Sequence, residues 1–84
     1  MEKKAHFLVV DDELIVRDSL EKWFREEGYK VSTAENASGA LALLAGDRFD
    51  LALVDIKMPG GGGLELQSRM KEIDPGLIVI VMTG

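Results

Sequence analysis

The chain has no cysteine, one histidine, two prolines and one tryptophan among its 84 residues. Without cysteine there are no disulfides, no zinc-thiolate sites and no thiol catalysis, and nothing points to an oxidising compartment. A lone histidine, His6, has no second imidazole to share a metal with, so it reads as an ordinary strand-edge side chain. Basic residues are the minority, 10 against 15 acids for a net charge of −5, which leaves no electrostatic footprint for nucleic acid or anionic lipid. No apolar run approaches the ~20 residues of a membrane-spanning helix, and the first residues, MEKKAH, lack the apolar core of a signal peptide. A cytoplasmic location is the default expectation. The length suits one small domain, residues 1–84.

What is present is organised around Phe49 to Gly63, FDLALVDIKMPGGGG. Leu51 to Val54 reads as a buried strand delivering one carboxylate, Asp55, to its C-terminal end. Ligands of open α/β sheets bind outside the carboxyl ends of the strands, so an acid there is placed for chemistry. Phe7 to Val10 ends in the same way with Asp11, Asp12 and Glu13, and Leu77 to Met82 ends in Thr83. Three strands ending in oxygen-bearing side chains imply one shared site.

Between these runs the period changes. Val16, Leu20, Trp23 and Phe24 form an apolar stripe at helical spacing over 13–27, with Asp12 and Glu13 at the dipole-favoured N-terminus and Gly28 as a left-handed cap. Trp23 and Phe24 are expected in the core. Tyr29 to Ala34 is predicted as an edge strand because Lys30, Ser32 and Thr33 interrupt it. Asn36 or Ser38 caps a helix through Ala45, with Ala40, Leu41 and Leu44 facing inward. A third helix is predicted over 64–73 with Leu66, Met70 and Ile73 on one face. Asp74-Pro75-Gly76 is a turn, proline fixing φ and glycine admitting positive φ. The order βαβαβαβ specifies an α/β fold with a parallel sheet.

Asp11, Asp12 and Asp55, crowded at adjacent strand tips, repel unless a cation lies between them. Hard oxygen donors without histidine or cysteine suit Mg²⁺. A metal so held neutralises phosphoryl oxygens and lets a carboxylate attack phosphorus, with Thr83 donating to the transferred group.

Leu8-Val9-Val10-Asp11-Asp12-Glu13, Asp50 through Gly60 (DLALVDIKMPG) and Val79-Ile80-Val81-Met82-Thr83-Gly84 together resemble the receiver domain of two-component response regulators, over the whole chain and in order. The resemblance implies a flavodoxin-like parallel sheet of strand order 2-1-3-4. It implies Asp55 as phosphoacceptor, Asp12 as a direct Mg²⁺ ligand and Asp11 as an acid holding the metal through water. Lys57 would offer its backbone carbonyl to the metal, Thr83 would be the switch hydroxyl, and the Gly84 amide would contact the phosphoryl group. It further implies a histidine kinase as phosphodonor, an output module or partner protein as reader, and no enzyme activity beyond self-phosphorylation and self-dephosphorylation.

Two departures stand out. Gly61 and Gly62 replace the larger apolar residue and the acid usual after Met-Pro-Gly, which predicts a looser loop. The chain also ends at Gly84, before the last strand, two helices and phosphoryl-contacting lysine of a full receiver. The domain is therefore expected to be C-terminally incomplete and impaired, with the 77–82 strand turned into an apolar edge that favours homo-oligomers. The alternative is a non-catalytic oligomerising module or engineered fragment on the same scaffold. An aspartate-nucleophile phosphatase fits poorly, because Lys57 stands where its second acid belongs.

Overall fold

A computed structural model describes residues 4–57 and 62–82. The elements run β1 (His6–Val10), α1 (Leu14–Glu26), β2 (Lys30–Ala34), α2 (Ala37–Gly46), β3 (Leu51–Asp55), α3 (Gly62–Ile73) and β4 (Ile78–Met82). All strand pairs are parallel and the sheet order is β2-β1-β3-β4. The register sets Val10 opposite both Ala34 and Val54, and Asp55 opposite Met82, so the C-terminal ends of β1 and β3 finish side by side.

Alternation along the strands sorts the side chains onto two faces. Leu8, Val10, Ala52 and Val54 join Ala40 and Leu44 of α2 and Leu66 and Met70 of α3 in one buried core, closed by Phe49 and Leu77. Phe7 points to the other face, where it meets Phe24 of α1 edge-on and stacks on Tyr29. β1 and β3, apolar runs with no polar interruption before their last residues, are the inner strands, while β4, equally uninterrupted, is an edge among the described residues. The interrupted run, β2, takes an edge as its composition predicts.

The helix ends follow local chemistry. Gly28 has φ +95°, its N–H donates to Arg25 O and the Tyr29 N–H to Phe24 O, the two bonds of a Schellman cap. Asn36, rather than Ser38, caps α2 by accepting the Gly39 N–H on Oδ1 at 2.8 Å.

Several expectations are corrected. No residue of α1 is fully buried, and Trp23 is 56% exposed rather than in the core. The physical reason is coverage: α1 touches β1 and β2 only, so a helix-wide stripe meets half a sheet. Ile73 is likewise exposed, and α3 starts at Gly62, so Gly62 and Gly63 form its first turn instead of a loop. Met58 to Gly61, including Gly61 as a site of loosening, lie outside the described residues. The 74–76 turn uses no positive φ at Gly76; the Asp74 carboxylate accepts the Gly76 N–H instead, and Lys71 Nζ donates to the Pro75 and Leu77 carbonyls. His6 is buried, Nδ1 donating to Arg48 O and Nε2 meeting Ser32 Oγ, so it ties β1, β2 and the α2–β3 connection together at the end of the sheet remote from the acids.

The Gly28 cap yields a test. A Cβ there meets no atom within 4 Å, so Gly28→Ala isolates the cost of the left-handed backbone, about 1–2 kcal/mol. The urea midpoint should fall accordingly with an unchanged m-value.

Candidate functional site

β1 hands over to α1 through Asp11, Asp12 and Glu13, and β3 ends on Asp55. Because Val10 and Val54 are register partners, Asp11 and Asp55 emerge as neighbours from one edge of the sheet. One carboxylate oxygen from each of Asp11, Asp12 and Asp55 lies within 4.8 Å of the others. They line an open hollow of about 510 Å³ with Glu13, Val16, Lys57 and Met82.

Two of the carboxylates are oriented by their own loops. Asp11 Oδ1 accepts the Glu13 N–H at 2.9 Å, and Asp55 Oδ1 accepts the Lys57 N–H at 3.0 Å. Each is a side-chain bond to the backbone two residues on, the pattern by which aspartate stabilises a tight turn. One oxygen of each residue thereby holds the chain, and the carboxylate is fixed without an intramolecular cation. Asp11 is only 5% exposed, Asp55 is half-buried and Asp12 is open to solvent.

The electrostatics follow from this crowding. Burial raises the Asp11 carboxyl above its ordinary value of 3.8, the Glu13 N–H opposes the rise, and the charges of Asp55 and Asp12 add to it. The donor set is all oxygen and carries three formal negative charges, which fits a small hard divalent ion better than any thiolate- or imidazole-seeking metal. Mg²⁺ usually takes one or two carboxylates and keeps several waters, and an open hollow with one exposed, one half-buried and one buried acid suits that habit.

Of the residues singled out from the sequence, Asp11, Asp12, Asp55 and Lys57 are brought together here. Thr83 and Gly84 lie outside the described residues, although Met82, next to Thr83, lines the hollow. Val16 lines the hollow without having been a candidate. Its signal was available, since the third residue after Glu13 on a helix lies one turn above the loop.

The family described as response regulator receiver domain matches residues 7–84. Sporulation initiation phosphotransferase F of Bacillus subtilis is 43% identical over 77 residues, which are 92% of this chain and 62% of that protein. A response regulator protein of Thermotoga maritima, solved in complex with Mg²⁺-BeF, is 38% identical and superposes with a TM-score of 0.86, covering 92% of this chain and 67% of that one. In a second structure that regulator is in complex with a histidine kinase; there the TM-score is 0.88, the identity 38%, and the coverage 95% of this chain and 69% of that one. The chain thus spans about two thirds of the length of these relatives.

A pH dependence follows from Asp11. A carboxyl raised in the fold binds protons that the unfolded chain has already released. Its contribution to stability is complete below 3.8 and is lost as pH rises through the folded value. In EDTA, Asp11→Asn should remove this part of the decline, so that the variant gains on the parent as pH rises from 4 toward neutrality. Urea unfolding across a pH series measures it. Mg²⁺, which selects the ionised form, should reverse the ranking at neutral pH.

Proposed function

The chain belongs to the response regulator receiver domain family, and from that membership we propose that it is a phosphoacceptor, taking a phosphoryl group onto Asp55 from a phosphohistidine of a histidine kinase. The observation that carries this reading is the convergence of the Asp11, Asp12 and Asp55 carboxylate oxygens within 4.8 Å at the C-terminal ends of β1 and β3. In this reading the chain works in the cytoplasm.

A carboxylate oxygen of Asp55 attacks phosphorus, the P–N bond to the donor imidazole breaks, and the imidazole takes up a proton as it leaves. The nucleophile is held for this by the Lys57 N–H on Oδ1. Asp12 and Asp55 would hold Mg²⁺, with Asp11 acting through water and the Lys57 backbone carbonyl completing the set. The ion supplies neutralisation of the phosphoryl oxygens as charge shifts among them. Thr83 is assigned the hydroxyl that moves to the transferred group, and Gly84 the amide that contacts it. The Mg²⁺-BeF complex of the Thermotoga regulator supports the metal assignment, and its complex with a kinase supports the donor.

Incubation with Mg²⁺ and acetyl phosphate should add one phosphoryl group, seen by intact mass, and Asp55→Asn should abolish it. Asp12→Asn should weaken Mg²⁺ binding at least roughly tenfold, equivalent to ~1.4 kcal/mol. No adduct on folded protein in Mg²⁺ overturns the phosphoacceptor reading.

One observation favours a second reading, an oligomerising module on the same scaffold. Among the described residues β4 is a sheet edge, and Ile78 and Ile80 are 59% and 45% exposed beside Leu51 and Leu53, on the half of the α1 face that α1 does not cover. Unpaired strand edges of this kind recruit a second chain. Light scattering after size exclusion should show the 84-residue chain self-associating, and Ile80→Lys should reduce the association; a monomer at high concentration excludes it.

A further inference from the structure

Three consecutive peptide units carry the chain from β1 into α1, and each is pinned by a different bond. The Asp11 N–H donates to Ala34 O at 3.1 Å, the last hydrogen bond toward β2. The Glu13 N–H is held by Asp11 Oδ1 at 2.9 Å. Between them, the carbonyl of the Asp11–Asp12 peptide lies past the strand and before the helix, where neither ladder supplies a donor. Arg17 supplies it: Nη1 donates to Asp11 O at 2.8 Å. Arg17 is half-buried and its own N–H closes the first turn of α1 onto Glu13 O at 3.1 Å, so the guanidinium reaches back from a rigid helix.

Beside three carboxylates, an arginine would be expected to pair with one of them. Among the described residues it does not; the arginine that pairs with a carboxylate there is Arg25, with Glu21. A guanidinium seated on Asp12 or Asp55 would occupy the oxygens a divalent ion needs. Seated on a main-chain carbonyl, it fixes the loop and leaves the carboxylates available.

We infer that Arg17 is a positioning residue for the divalent-cation site, acting through the orientation of the Asp11–Asp12 peptide and hence the placement of the Asp12 carboxylate. The inference rests on the phosphoacceptor reading for the identity of the cation, but its sign is its own. A positive charge near a cation site weakens cation binding by simple repulsion, so loss of Arg17 as a mere charge would tighten Mg²⁺. Loss of Arg17 as a positioning group loosens the loop and weakens Mg²⁺. Partners that orient metal ligands from behind typically cost roughly 10–100-fold in metal affinity when removed.

The test is Mg²⁺ titration by calorimetry of the parent, Arg17→Met, Arg17→Lys and Arg17→Gln, with melting in EDTA and amide exchange at Asp12 and Glu13 as readouts independent of phosphorylation. Arg17→Met should bind Mg²⁺ roughly tenfold more weakly and exchange faster at Asp12. Arg17→Lys, which retains a donor and the charge, should recover most of the affinity. Should Arg17→Met fail to fold, Lys against Gln decides: tighter binding by the lysine variant supports positioning, and equal or tighter binding by the glutamine variant overturns it. Mg²⁺ affinity in folded Arg17→Met equal to or above the parent's also overturns it, with the phosphoacceptor reading intact. A parent that binds no Mg²⁺ overturns the metal assignment of that reading, and this proposal with it.

Discussion

The repulsion among Asp11, Asp12 and Asp55 is the constraint on which the other features of this molecule bear. Three like charges with oxygens inside 4.8 Å of one another oppose the fold, and no described side-chain cation is paired with them. The backbone enforces the proximity. Parallel pairing of β1 with β3 aligns the strand ends, and the buried side chains of Leu8, Val10, Ala52 and Val54 leave no freedom to slip, because a one-residue shift would turn the core face outward. Packing energy is thus used to hold an unfavourable charge arrangement.

The two ends of the sheet divide the labour. At the carboxyl ends, Asx-type bonds hold Asp11 and Asp55 while keeping each carboxylate within reach of the hollow. At the opposite end, His6 is buried against Phe49 and bonded to Ser32 and Arg48, while its backbone N–H donates to the Asp50 carboxylate at 2.8 Å. Every buried side-chain polar atom among the described residues has a partner. The polar strain in the molecule is therefore concentrated in the acid cluster, and its form is charge rather than missing hydrogen bonds.

The two faces of the sheet are unequal. Under α2 and α3 the apolar side chains close into one cluster, whereas α1 covers only the β1–β2 half of the other face. That inequality explains why the helical stripe of α1 is only half-buried and why Trp23 and Ile78 meet solvent. A hydrophobic stripe reports that a helix has an inner face; it does not report how much sheet that face will find.

Element order, the edge position of the interrupted strand, the Gly28 cap and the three acids were all legible along the chain, because each is written in local chemistry: period, β-branching, helix-terminal residues and acids just past apolar runs. The choice of Asn36 over Ser38 as cap, the Asp74 carboxylate in place of a positive φ at Gly76, and the start of α3 at Gly62 needed coordinates, since each is a competition between neighbouring donors and acceptors. The burial of His6 and the seat of Arg17 on the Asp11 carbonyl join residues that periodicity does not link. What the sequence determined alone is the identity and order of the parts, for these depend on neighbours along the chain. What only the tertiary structure decided is which oxygens are committed to the loops, and how much of each apolar face is covered, for these depend on neighbours in space.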